Sequence, residues 1–259
     1  MNNNIYFPVK EDQVIVNGVV APNHKAIIRT DTNQVLGIHS LKYKLTTNDE
    51  VFGRLEEGLS RNFDLAAAHV HTQLDKNGAR TLRTYMFPEH QVDVGGGDSV
   101  AFELRAANSY DASHTFGLMA GGFRFACFNG MVVGAALANV KKRHTASLDI
   151  DYVVASLNRA FETYEGNVQL WQRWVNTQIT HEQASSIIKS VSTGPRMLET
   201  LTEQWHTESR SLGVTAWALY NALTSWSTHT QAKAAHGTAL LIREDRVRKV
   251  LPQLERLAA

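Results

Sequence analysis

His69-Val-His71 is the first pair of side chains whose spacing suits chemistry. On a strand, positions i and i+2 face the same side, so both imidazoles could reach one metal ion, with Asp75 or His90 as a third ligand. The same spacing also describes two histidines on the open face of a hairpin. Cys127 would serve as a nucleophile with a histidine beside it. Set among Phe125, Ala126 and Phe128, it reads more simply as a small buried hydrophobe. Gly95-Gly-Gly97-Asp98 is glycine-rich, but no Gly-Lys-Ser/Thr follows, so it is not a phosphate-cradling loop; it reads as a flexible connection. Neither G-x-S-x-G nor H-E-x-x-H occurs, and a single cysteine excludes both an intrachain disulfide and a Cys-rich zinc site.

The cations carry a local signal that the overall balance hides. Lys+Arg is 26 against 25 for Asp+Glu, a net charge of +1. Between Val100 and His144, however, Arg105, Arg124, Lys141, Lys142 and Arg143 face only Glu103 and Asp111. Adjacent cations at a strand end neutralise phosphates and release counterions whatever the base sequence. Tyr110, Phe116, Phe123, Phe125 and Phe128 are interleaved with them, and stacking on such rings holds single strands without sequence preference. The competing reading is that alternating aromatics form core and a Lys-Lys-Arg run is a solvated turn. The five tryptophans, Trp171, Trp174, Trp205, Trp217 and Trp226, all follow residue 170; at helical spacing they suit either helix packing or a subunit interface.

Two kinds of periodicity must position these groups. Up to about residue 145 the chain reads as strands. Lys25 to Thr30 and Gln34 to Ile38 flank a polar turn, and Asp64 to Leu74 meets Thr81 to Phe87 across Asp75-Lys-Asn-Gly78. Val100 to Asn108 returns as Thr115 to Phe128, and Met131 to Arg143 is extended. One helix interrupts them, capped within Thr47-Asn-Asp-Glu50 and carrying Val51, Phe52, Leu55 and Leu59 on one face. From about residue 150 the period becomes helical, with a capping-box sequence at Thr180-His-Glu-Gln183 and Pro195 in a first turn. A strong helix runs from Leu212 to Thr228. A terminal helix follows from Arg243 to Leu257, with Pro252 as a misfit. The expected class is α+β: N-terminal antiparallel β-hairpins with one helix (1–147), then a helical region packed on them (148–259).

Composition bounds the rest. With 259 residues, 43% hydrophobic and 20% charged, the chain is neither disordered nor fibrous. It carries no apolar run long enough for a membrane span and no basic-then-apolar leader, so a cytoplasmic setting is expected.

Several stretches carry a family resemblance. Arg29-Thr-Asp-Thr-Asn-Gln-Val-Leu-Gly37, then Tyr43 and Thr47-Asn48, resemble the opening of a phage- and plasmid-borne family of unassigned function, domain of unknown function number 932. Asn108-Ser-Tyr-Asp111-Ala-Ser113 and Phe123-Arg124-Phe-Ala-Cys127-Phe-Asn129-Gly130 resemble its central blocks, and Trp217 to Asn221 resembles its late helix. Tyr110 and Ala112 depart from the His and Gly usual there. The family implies no settled activity. Its mobile-element setting, and hairpins followed by helices, are similar to single-strand annealing proteins of the Redβ, RecT and Erf type, an analogy of fold only.

Three functional readings follow. In the first, the chain is a non-enzymatic protein of a phage or plasmid that binds and anneals single-stranded DNA in recombination. It acts as a ring or filament of its own copies, with a phage nuclease as a candidate partner and no cofactor. Arg105, Arg124, Lys141, Lys142 and Arg143 contact phosphates there, joined by Lys76, Arg80 and Arg83 from the Asn-Gly hairpin; Asn108 and Asn129 fix turns or bond to backbone and sugar. Arg124 buried against an acid, together with Lys141, Lys142 and Arg143 pointing away from any groove, would overturn it. In the second, a metal-dependent hydrolase uses His69, His71 and Cys127 or Asp111. In the third, a structural protein binds a host protein through the Trp-rich half.

Overall fold

The computed structural model describes residues 5–113, 116–124, 129–132, 140–142, 150–229 and 237–258. Strands β1 (Val9–Val16), β2 (Val19–Arg29) and β3 (Gln34–Ser40) form an antiparallel three-stranded sheet in that order. Helix α1 (Asn48–Leu59) follows. A second sheet runs β4 (His69–Asp75), β5 (Arg80–Gly95), β6 (Asp98–Ser109), β7 (Phe116–Arg124) and β8 (Asn129–Val132), with β9 (Val140–Lys142) also paired to β7. Helices α2 (Ile150–Asn176), α3 (His181–Val191), α4 (Pro195–Leu212), α5 (Ala216–His229), α6 (Gly237–Arg248) and α7 (Leu251–Leu257) complete the chain. The fold is α+β, as the change of period predicts.

Local chemistry explains most boundaries. The Thr47 side chain accepts from the Glu50 N–H and opens α1, whose Val51, Phe52, Leu55 and Leu59 are buried. A reciprocal capping box between Thr180 and Gln183 opens α3, and Pro195 begins α4. Asn77 and Gly78, with φ of 59° and 99°, turn β4 into β5 as a tight hairpin requires. Gly95-Gly-Gly97, read as a flexible connection, joins β5 to β6 as a close turn. The predicted helix from Leu212 begins later, at Ala216, because Gly213 ends α4. The expected single terminal helix is two, and Pro252 is no misfit: it sits in the first turn of α7, where no N–H partner is needed.

By contacts the chain divides into two compact units. Unit 1 comprises Met1–Tyr85, Leu104–Met119 and Ala138–Asn158; unit 2 comprises Met86–Glu103, Ala120–Leu137 and Arg159–Ala259. Strands β5, β6 and β7 contribute residues to both.

In unit 1, Phe7, Ile27, Leu36, Tyr43, Ala79 and Tyr110 form a buried cluster against which Val9, Leu45 and Leu74 pack. In unit 2 an aromatic column runs from Phe87 through Phe102, Tyr164 and Trp171 to Trp217, with neighbouring ring centroids 5.3–6.4 Å apart. Helix α5 is buried on every side from Ala216 to Ser227. Its polar residues are bonded mostly within the helix: Asn221 Nδ2 donates to Trp217 O (2.8 Å), and Thr224 and Ser227 hydroxyls donate to carbonyls one turn back.

Candidate functional site

The stretches that carry the family resemblance converge on two buried polar clusters, one in each unit. In unit 1 the centre is Asn48. Its backbone N–H donates to Tyr110 Oη (2.7 Å), and its Nδ2 donates to Ile5 O (2.9 Å) and Thr81 Oγ1 (3.0 Å). Asn108 Nδ2 donates to Asn48 Oδ1 (2.9 Å). Tyr43 Oη donates to Ser109 O (3.3 Å) and His39 Nε2 to Tyr110 O (2.7 Å); a carbonyl only accepts, so the His39 proton sits on Nε2. The imidazole also stacks on Tyr43 at 4.0 Å. Gly37 is required by this approach: a Cβ there would lie 2.4 Å from Tyr110 O.

The chain leaves this cluster at Asp111. Arg80 Nε donates to Asp111 Oδ2 (2.8 Å), Ser113 N to Oδ1 (3.0 Å), and Lys76 Nζ lies 3.8 Å away. Burial raises the Asp111 carboxyl, but the Ser113 bonds and Arg80 outweigh it and hold it below the usual carboxylate range. A carboxylate depressed in the folded state stabilises the protein above its unfolded pKa, and that contribution is lost as pH falls through the folded one. Asp111→Asn is therefore expected to cost about 1–2 kcal/mol at neutral pH, modest because the group is partly solvated. In urea titrations across pH, the gap to the parent protein closes in acid; a gap independent of pH would remove the ionic contribution.

In unit 2 the centre is Asp98, first residue of β6. It accepts from Arg124 Nε, from Trp217 Nε1 (2.9 Å) and from Ser99 N (3.0 Å). Arg124 Nη1 also donates to Glu208 Oε2 on α4 (3.2 Å). All three charged side chains are buried, with at most 8% of their surface exposed. Burial pushes the Glu208 carboxyl above its ordinary range, with Arg124 opposing and Asp98 adding to the rise.

These clusters overturn part of the expected phosphate surface. Arg124 is not a phosphate contact; its guanidinium is consumed by two buried carboxylates. Arg105 is buried as well (7% exposed) on the central strand β6, on the same face as buried Glu103. Arg80 and Arg83 are half-buried and committed to Asp111 and to Glu56 (2.9 Å). Lys76 is exposed on its turn. Tyr110 and Phe116 are core rings, not open stacking platforms. Lys141 and Lys142 lie on β9, opposite Gly117 and Phe116 of β7. Asn129 opens β8 opposite Arg124. Cys127, Phe125, Phe128 and Arg143 lie outside the described residues.

The other sequence readings fare as follows. His69 and His71 are both exposed on β4, while His90 packs edge-on against Phe87 and Phe161. Among the described residues no three His, Cys, Asp or Glu side chains are grouped as a metal ion needs. All five tryptophans are buried, as the helix-packing reading of their spacing expects. No described helix is long and apolar enough to cross a membrane. Sequence reasoning read Asp98 only as part of a glycine-rich connection, and it left Asn48, His39 and Glu208 out of the site as well. Their signal was weak, because each is polar on an element called for its apolar face.

A family model described as a domain of unknown function (DUF932) matches residues 35–254, and the chain belongs to that family. No curated protein and no solved structure matches it.

Proposed function

We propose that the chain is a non-enzymatic protein of a phage or plasmid that holds single-stranded DNA for annealing and works as an assembly of its own copies. The observation that supports this reading is the position of β9. Among the described residues β9 pairs with β7 alone, so Lys141 and Lys142 belong to the outer strand of the sheet, and Arg143 follows them directly. Two successive cations on an outer strand, with a third next to them in sequence, can neutralise neighbouring phosphates. Lys76 is the remaining exposed member of the expected set. The buried motif residues serve this function by fixing the sheet, not by touching DNA.

Self-association is supported by the tip of the β1–β2 hairpin. Beyond Asn23, β2 pairs with β1 alone, leaving a two-stranded ribbon. Ile15, Val16, Val19 and Val20 on it are 44–70% exposed, and no charged residue occurs from Val14 to Asn23. An uncharged, apolar ribbon with open edges is a template for pairing with another copy.

The test is salt-dependent binding to single-stranded DNA, with mass photometry alongside. Replacing Lys141, Lys142 and Arg143 by alanine is expected to weaken binding and flatten the salt slope by up to ~0.7 for each lost contact. Val16→Lys with Val19→Lys is expected to shift the protein toward smaller species while leaving its melting temperature unchanged. Equal slopes for parent and triple variant, or no binding at low salt, would overturn the reading.

A further inference from the structure

A cleft of about 580 Å³ opens in unit 2 at the start of α4. Thr193, Arg196, Met197 and Gln204 line one side, and Trp226 of α5 lies against it. At its rim Arg246 of α6 donates from Nη1 to Thr193 Oγ1 (3.0 Å) and to Met197 Sδ (3.8 Å), both neutral groups. None of the described lining residues is acidic, and among the described residues neither Arg196 nor Arg246 is paired with a carboxylate. Elsewhere in the molecule the arginines Arg29, Arg80, Arg83 and Arg124 all hold a carboxylate. At this hollow two guanidiniums without a carboxylate partner among the described residues meet neutral groups only.

We infer that this cleft binds the phosphate monoester of a nucleotide-sized ligand through Arg196 and Arg246. Guanidinium presents paired donors that match phosphate oxygens, and an anion recovers the charge balance the cleft lacks. The 18-residue helix α4 begins at the same hollow, and its dipole adds to the attraction. Trp226, Met197 and Pro195 supply apolar wall for the rest of the ligand, and the volume suits a body of that size. The same chemistry is presented by a free nucleoside monophosphate and by the 5′-phosphorylated end of a DNA strand. The inference goes beyond the β9 reading, since the two surfaces share no residue.

The experiment is calorimetric titration of the full chain with thymidine monophosphate, thymidine, and short oligothymidylates carrying a 5′-phosphate or a 5′-hydroxyl. Arg196→Ala and Arg246→Ala are expected to weaken binding of a phosphate-bearing probe about tenfold or more each, with Arg196→Lys recovering part of the loss. Both arginines lie outside the buried core, and thermal melts check that the variants stay folded. Binding of the monophosphate identifies a free nucleotide as ligand. Preference for the phosphorylated over the hydroxyl oligonucleotide identifies the strand end. Thymidine binding as well as its monophosphate, equal binding of both oligonucleotides, unchanged binding in the double alanine variant, or no binding of either phosphate-bearing probe overturns the inference. The Lys141, Lys142 and Arg143 triple variant retains the cleft, so its failure to bind long strands separates the two proposals.

Discussion

Arg124→Ala is expected to destabilise unit 2 by about 3–5 kcal/mol, a large share of the stability of an ordinary domain. The size follows from what remains. Asp98 and Glu208 would stay buried with their shared cation gone, and taking an unpaired carboxylate out of water costs far more than the pair contributes when complete. Arg124→Met combined with Asp98→Asn and Glu208→Gln removes the charges together and is expected to recover much of the loss. Urea denaturation at constant m-value measures both. If Arg124 instead served DNA, its replacement would leave the midpoint in place and change only the salt slope.

Asn48→Ala is expected to cost about 3 kcal/mol in unit 1, roughly one for each buried partner left without its bond. Three partners lose theirs: Ile5 O, Thr81 Oγ1 and Asn108 Nδ2. Asn108 retains only a longer bond to Thr46 O, at 3.4 Å. A double-mutant cycle with Asn108→Ala reads the coupling: the second replacement is expected to cost clearly less in the Asn48→Ala background than alone. Additive effects would mean that the two amides act separately.

Features set by neighbours in sequence were readable from the chain. The Thr47 and Thr180 caps, Pro195 at the start of α4 and the Asn77-Gly78 turn each depend on four or five consecutive residues, and each lies where local chemistry predicts. One local signal was passed over: Asn17-Gly18 between Val14-Ile-Val16 and Val19-Val20 marks the β1–β2 hairpin as strongly as Asn77-Gly78 marks β4–β5. The phosphate surface was misread because counting cations ignores where their partners come from. Asp98 lies 26 residues before Arg124 and Glu208 lies 84 after it, so no window of sequence contains the cluster. Arg105 did carry a warning: Glu103 two residues earlier, both set in an apolar strand, is the pattern of charges buried on one face.

The long reach of the Asp98 cluster has a consequence for synthesis. Asp98 and Arg124 leave the ribosome well before Glu208, and Trp217 emerges 119 residues after the carboxylate it caps. At about 5–20 residues per second, the nascent chain spends several seconds holding that aspartate and arginine without their last partners. Unit 2 therefore closes late, and a message cut short before codon 217 yields a product that quality-control proteases can seize.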